Sequence, residues 1–111
     1  MKKYALRIRI WIDEDDGPFL GIGRVILLEN IKETGSITNA AKSMKMSYRQ
    51  AWQLVEDMNK RASPLVEKMS GGKKGGGAIL TEAGENAVRE FRNIEQELNL
   101  IIANKSKTIK F

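Results

Sequence analysis

The sequence predicts an α+β fold, and three observations carry that prediction. The first residues alternate apolar and polar, two short capped helical stretches follow one another across a tight turn, and a glycine-rich hairpin precedes one long helical seam. In that order these elements predict a winged helix-turn-helix with an N-terminal β-strand or hairpin and a long C-terminal dimerisation helix.

Lys3 to Ile12 carries the alternation. Tyr4, Leu6, Ile8, Ile10 and Ile12 point one way, and Arg7 and Arg9 the other. Period two with β-branched residues predicts a half-buried strand over 3–12. Asp13 to Pro18 is an acidic turn ending in Gly-Pro, and Phe19-Leu20 returns as a short strand. From Ile22 the period lengthens. Val25, Leu28 and Ile31 fit one helical face, predicting a helix over 23–34 that Gly35 ends in a left-handed cap.

Ser36 supplies an N-cap, and Ile37, Ala40, Ala41 and Met44 share one face. Ser47 caps the next helix, whose stripe is Ala51, Leu54, Val55, Met58 and Ala62. The pair predicts a helix-turn-helix over 36–62, with a recognition helix over 47–62. Pro64 stops that helix. Two short strands around the tip SGGKKGGG, residues 70–77, predict a wing over 65–80. Thr81 caps a long helix over 82–103. Its apolar positions Phe91, Ile94, Leu98 and Ile101 recur in steps of three and four, a heptad-like seam. Residues 104–111 form a polar tail. No repeat divides the chain, which reads as a single domain over 1–111.

Composition excludes several functions. The chain has 111 residues with no Cys and no His. That removes disulfides, thiol nucleophiles, thiolate zinc sites and the commonest general base. Gly21-Ile22-Gly23 lacks the third glycine of a dinucleotide fingerprint, and the glycine block lacks the Lys-Ser or Lys-Thr of a phosphate-binding loop. The expectation is a protein without enzymatic activity, cofactor, metal or small-molecule ligand. No apolar run reaches the roughly 20 residues of a membrane span, and no signal peptide precedes the fold, so a cytoplasmic location is expected. The net charge is +5 and the pI about 9.6. A basic balance is consistent with a polyanionic partner.

On a wheel of about 100° per residue, Arg49, Gln53 and Lys60 lie opposite the apolar stripe, with Gln50 and Asp57 at the edge. Arg and Gln near a helix start can contact guanine and adenine edges bidentately. Ser47 and Tyr48 stand at the helix N-terminus, where hydroxyls and amides meet phosphate oxygens. Ser36, Thr38 and Asn39 open the preceding helix and can hold the adjoining backbone. Lys73 and Lys74 give the wing charge for phosphate contact. Polar helix faces are commonly only solvated, and the two serines would cap any helix. The agreement of caps, turn length, small-residue contacts and hairpin favours the functional reading.

The run SITNAAKSMKMSYRQAW, Ser36 to Trp52, resembles the helix-turn-helix of LysR-type regulators. Extended through PLVEKMSGGKKGGGAILTEAG, it resembles the N-terminal DNA-binding domain of ModE-type molybdate-responsive regulators. The glycine-rich wing joined to the Met-Ser-Tyr-basic-x-Ala-Trp run is the more specific feature. The resemblance implies Ser47, Tyr48 and Arg49 at the DNA, Lys73 and Lys74 flanking it, and a homodimer that represses or activates transcription. Lys45 departs from the glycine that the family favours in the turn. The family's C-terminal oxyanion-binding domains have no counterpart in these residues, so molybdate sensing is not carried over. The expected partners are double-stranded DNA and a second copy of the chain, through Phe91, Ile94, Leu98 and Ile101. The alternatives are a winged-helix protein-interaction module and a non-specific nucleic-acid-binding protein.

Overall fold

A computed structural model describes residues 2–61, 63–69 and 77–111. Among the described residues it has four helices and two antiparallel two-stranded sheets, a mixed α+β architecture. The order is β1 (Trp11–Glu14), β2 (Gly17–Gly21), α1 (Ile22–Thr34), α2 (Ile37–Ser43), α3 (Tyr48–Arg61), β3 (Val66–Met69), β4 (Gly77–Leu80) and α4 (Glu82–Ser106).

The first hairpin pairs Trp11 with Gly21 and Glu14 with Gly17, with a register shift between Ile12 and Asp13. Gly17 turns the chain at φ +133°, which L side chains rarely adopt. The expected strand over 3–12 is corrected to one that begins at Trp11. Strand β2 ends at Gly21 and α1 starts at once. Residues 3–10 therefore overhang their partner, and the alternation alone cannot supply one. Tyr4 and Leu6 lie instead at the far end of α4 and the residues after it, where the Leu6 amide donates to Ser106 Oγ and the Tyr4 ring meets Phe111 edge-on, while Ile10 packs against the core.

One core joins the elements. Leu27, Leu28 and Ile31 of α1 are fully buried, as are Ala40 of α2 and Val55 and Met58 of α3. Phe91 of α4 closes the core at 1 % exposure. Helix α1 is its centre, since its buried side chains meet α2, β4 and α4. Gly35 ends α1 in the left-handed conformation, with its amide donating to Ile31 O. Its carbonyl accepts from the Ala78 amide, which ties β4 to the end of α1.

Helix α4 has 25 residues, about 37 Å at 1.5 Å per residue. Thr81 caps it by accepting from the Gly84 amide, and Glu82 and Glu85 sit in its first turn, where the macrodipole favours carboxylates. Only its first half packs on the core. The second half projects, which gives the chain its longest dimension of 60 Å. The helix runs three residues beyond the expected end at 103.

Candidate nucleic-acid interface

Helices α2 and α3 are joined through residues 44–47, a turn built from backbone bonds. The Met46 amide donates to Ala41 O and the Lys45 amide to Lys42 O. This is the two-bond pattern of a Schellman motif, which requires a left-handed residue after the cap. Lys45 fills that place at φ +56°. A side chain there costs roughly 1 kcal/mol that glycine avoids. We expect Lys45→Gly to raise the unfolding free energy by about 1 kcal/mol in urea titration. An unchanged or lower midpoint would mean that the turn carries no strain.

Ser36 and Ser47 act as helix caps. Ser36 Oγ accepts from the Asn39 amide and Ser47 Oγ from the Gln50 amide, each at 3.1 Å. Ser47, Tyr48, Arg49, Gln50 and Gln53 are all exposed, on or beside the first two turns of α3. Thr38 and Asn39 are exposed on the first turn of α2, and Ser36 is half-buried. The opposite stripe of α3, namely Ala51, Val55 and Met58, is buried. Helix α3 thus presents guanidinium, amide and hydroxyl groups outward from the face opposite its buried stripe. Lys73, Lys74 and the hairpin tip, together with Ala62 of the expected stripe, lie outside the described residues.

Sequence reasoning missed the side chains that hold α3. Asn59 Oδ1 accepts from the amides of Leu65 and Val66, and its Nδ2 donates to Val66 O. One amide group thereby satisfies the backbone where the chain leaves α3 and enters β3. Lys68 of β3 lies 4.6 Å over the Trp52 ring and donates to Glu56 at 2.7 Å. On the other flank Asp57 meets Arg24 of α1 and Arg61 of its own helix. The Arg24 hydrogen bond, with the Arg61 contact, holds the Asp57 carboxyl below its ordinary 3.8. A depressed carboxyl stabilises the fold above the unfolded value and loses that contribution as pH falls through the folded one. The Asp57 contribution is therefore fully present above the ordinary value of 3.8 and is lost only as pH falls below it. Among the described residues, no group of three or more acidic side chains is placed to hold a metal ion.

Two of the expected seam residues differ in placement. Phe91 is corrected from a partner-facing position to the protomer's own core, because α1 lies directly against this part of α4. Ile101 is 56 % exposed and its neighbour Leu100 66 %, while Ile94 and Leu98 are half-buried. A tie between the helices joins Arg92 to Glu29 of α1, and Arg92 also pairs with Glu95 of its own helix.

No family model matches the chain. Curated relatives do. The molybdenum transport protein ModE of Azotobacter vinelandii is 42 % identical over 90 residues, 80 % of this chain and 33 % of the relative. The molybdenum-pterin-binding protein MopB of Rhodobacter capsulatus is 40 % identical over 97 residues, 86 % of this chain and 36 % of its own length. The DNA-binding transcriptional dual regulator ModE of Escherichia coli strain K12 is 39 % identical over 74 residues, 66 % of this chain and 28 % of the regulator.

This chain is a homologue of the ModE proteins.

It spans about a third of the length of these ModE and Mop relatives. No described helix is long and apolar enough to cross a membrane.

Proposed function

We propose that the chain is a DNA-binding regulator of transcription that uses a winged helix-turn-helix. Helices α2 and α3 form the helix pair, and α3 enters the major groove with Arg49, Gln50 and Gln53 toward base edges. Ser47 and Tyr48, with Ser36, Thr38 and Asn39, hold the phosphate backbone. The β3–β4 hairpin is the wing, and Lys73 and Lys74 at its tip flank the site. The observation that carries the reading is the outward set Arg49, Gln50 and Gln53 on a helix whose opposite stripe is buried. Homology to proteins named as transcriptional regulators supports it.

The chain works as a homodimer through the projecting half of α4, with Ile94, Leu98 and Ile101 facing a second copy. The exposure of Leu100 and Ile101, beside the half-exposed Tyr4, Leu6 and Ile8, supports this. A dimer carries two recognition helices to half-sites about one helical turn, or a small multiple, apart. Ile101→Glu should halve the mass seen by light scattering, and an unchanged dimer mass would contradict the interface.

Tyr48, Trp52, Met69 and Ile79, all more than a third exposed, favour a second reading in which the same surface binds a protein. Gel shift on genomic fragments under salt titration separates the readings. Specific binding leaves a few fragments shifted in excess competitor. A uniform shift lost at modest salt denotes non-specific binding, and no shift at low salt removes the DNA reading.

A further inference from the structure

Helix α3 rests on the body through Ala51, Val55 and Met58. Apolar contact of this kind has no direction of its own. Packing opposes a turn of the helix about its axis, and bonds with a fixed direction oppose it more sharply. The side chains that would read DNA are sensitive to such a turn. A helix with its side chains has a radius of about 5–6 Å, so a rotation of 20° carries an outward tip about 2 Å. The useful range of a hydrogen-bond distance is only about 0.5 Å. The helix therefore needs directional ties, and its flank toward the first hairpin has them.

Asp57 Oδ2 accepts from Arg24 Nη1 at 2.7 Å and from Arg61 Nε at 3.1 Å. Arg24 Nη1 also donates to Phe19 O in β2 at 3.1 Å. Arg61 Nη1 donates to Glu14 Oε1 in β1, again at 3.1 Å. Four side chains thus join α3 to α1 and to both strands of the first hairpin. The two guanidinium groups are planar forks whose donors point in fixed directions, unlike an ammonium. The two arginine side chains are 17 % and 21 % exposed, and Asp57 is 37 % exposed. Ion pairs at such partly wetted sites contribute little net stability. What the cluster supplies is orientation.

We propose that Arg24 and Arg61, closing on Asp57, are positioning residues that fix the rotation of α3 and so the aim of Arg49 and Gln53. The inference rests on the DNA-binding reading above. The cluster lies at the C-terminal half of α3 and acts through the helix rather than by touching a base. Its removal should therefore erode sequence preference while leaving the phosphate contacts in place.

The test uses the full chain and the genomic fragment that the wild type enriches, with mixed-sequence DNA as competitor. Asp57→Asn and Arg24→Lys are compared with the wild type by fluorescence anisotropy, with thermal melts and the salt slope measured on the same samples. Each variant should lose about tenfold in preference for the enriched fragment, roughly the worth of one base contact. Melting temperature and salt slope should stay near the wild-type values. The double variant should lose no more than either single one, because both break the same tie. Arg24→Lys retains the positive charge, so it keeps the test decisive if Asp57→Asn folds poorly. Unchanged preference in the variants overturns the proposal, as does an additive loss in the double variant. A uniform loss on all sequences with a smaller salt slope overturns it too, assigning Arg24 to a phosphate. Absence of DNA binding by the wild type removes the underlying reading, a result distinct from the others.

Discussion

Gly84→Ala is expected to destabilise the chain by about 2 kcal/mol or more, although alanine is the better helix former. Gly84 is the third residue of α4 and is buried. A Cβ built there would lie 2.2 Å from Leu65 O and 3.1 Å from Leu65 C. These are backbone atoms and cannot swing aside as a side-chain end would. Leu65 O is also fixed, since it accepts from the Thr81 amide at 3.0 Å. Thr81 Oγ1 meanwhile donates to Pro64 O and accepts from the Gly84 amide. The first turn of α4 and the strand entry at Leu65 are thus locked at backbone contact. Relieving the clash means moving α4 outward and opening the core around Phe91. Intrinsic propensity argues the other way by about 1 kcal/mol, and overpacking of this severity exceeds it. A thermal melt should show Tm lowered by about 8 °C or more. A Tm equal to or above the parent's would mean that the helix accommodates the methyl group without strain.

Phe91→Ala should cost about 3–5 kcal/mol, the range for removing a buried aromatic side chain. Phe91 is among the largest fully buried side chains of the described residues, and α1 and α4 meet around it. The loss should appear in urea unfolding at every protein concentration, because the cavity lies inside one protomer. The mass of the proposed dimer should not change in whatever remains folded. Ile101→Glu should do the reverse, altering mass with little effect on protomer stability. If Phe91→Ala instead dissociated the chains at full protomer stability, its place in the core would be wrong.

The contrast between Phe91 and Ile101 shows where sequence reading stops. A repeat of threes and fours marks one face of α4, but it does not say what that face meets. The same stripe packs on α1 at Phe91 and is bare at Ile101. Period identifies a buried face and leaves its partner unassigned. Residues 3–10 teach the same lesson for strands. Their alternation is real, yet a strand needs a neighbour, and β2 runs out at Gly21.

Local chemistry was easier to read. The capping roles of Ser36, Ser47 and Thr81 and the left-handed cap at Gly35 follow from residues a few positions apart. Lys45 stood out only through the resemblance, in which glycine is favoured at that place, and the structure puts it at φ +56°. The outward set on α3 follows from its wheel. Ties across long stretches of chain could not be read this way. Asp57 looked like an edge residue of a polar face until Arg24, on another helix, came to lie beside it. Asn59 carries no sequence signal for its three bonds to Leu65 and Val66, because the need for them arises only when the chain turns there. Gly84 likewise reads as a weak point in a helix rather than as a point of contact.

The proposed reading head is the exposed N-terminal half of α3, with Arg49 at its front. The most direct measurement is the ratio of affinities for an enriched genomic fragment and for mixed-sequence DNA, compared between wild type and Arg49→Ala. The wild type should show a clear preference. Arg49→Ala should weaken binding to the enriched fragment by about 1–3 kcal/mol and bring the ratio toward one. A ratio that Arg49→Ala leaves unchanged would contradict base reading by α3.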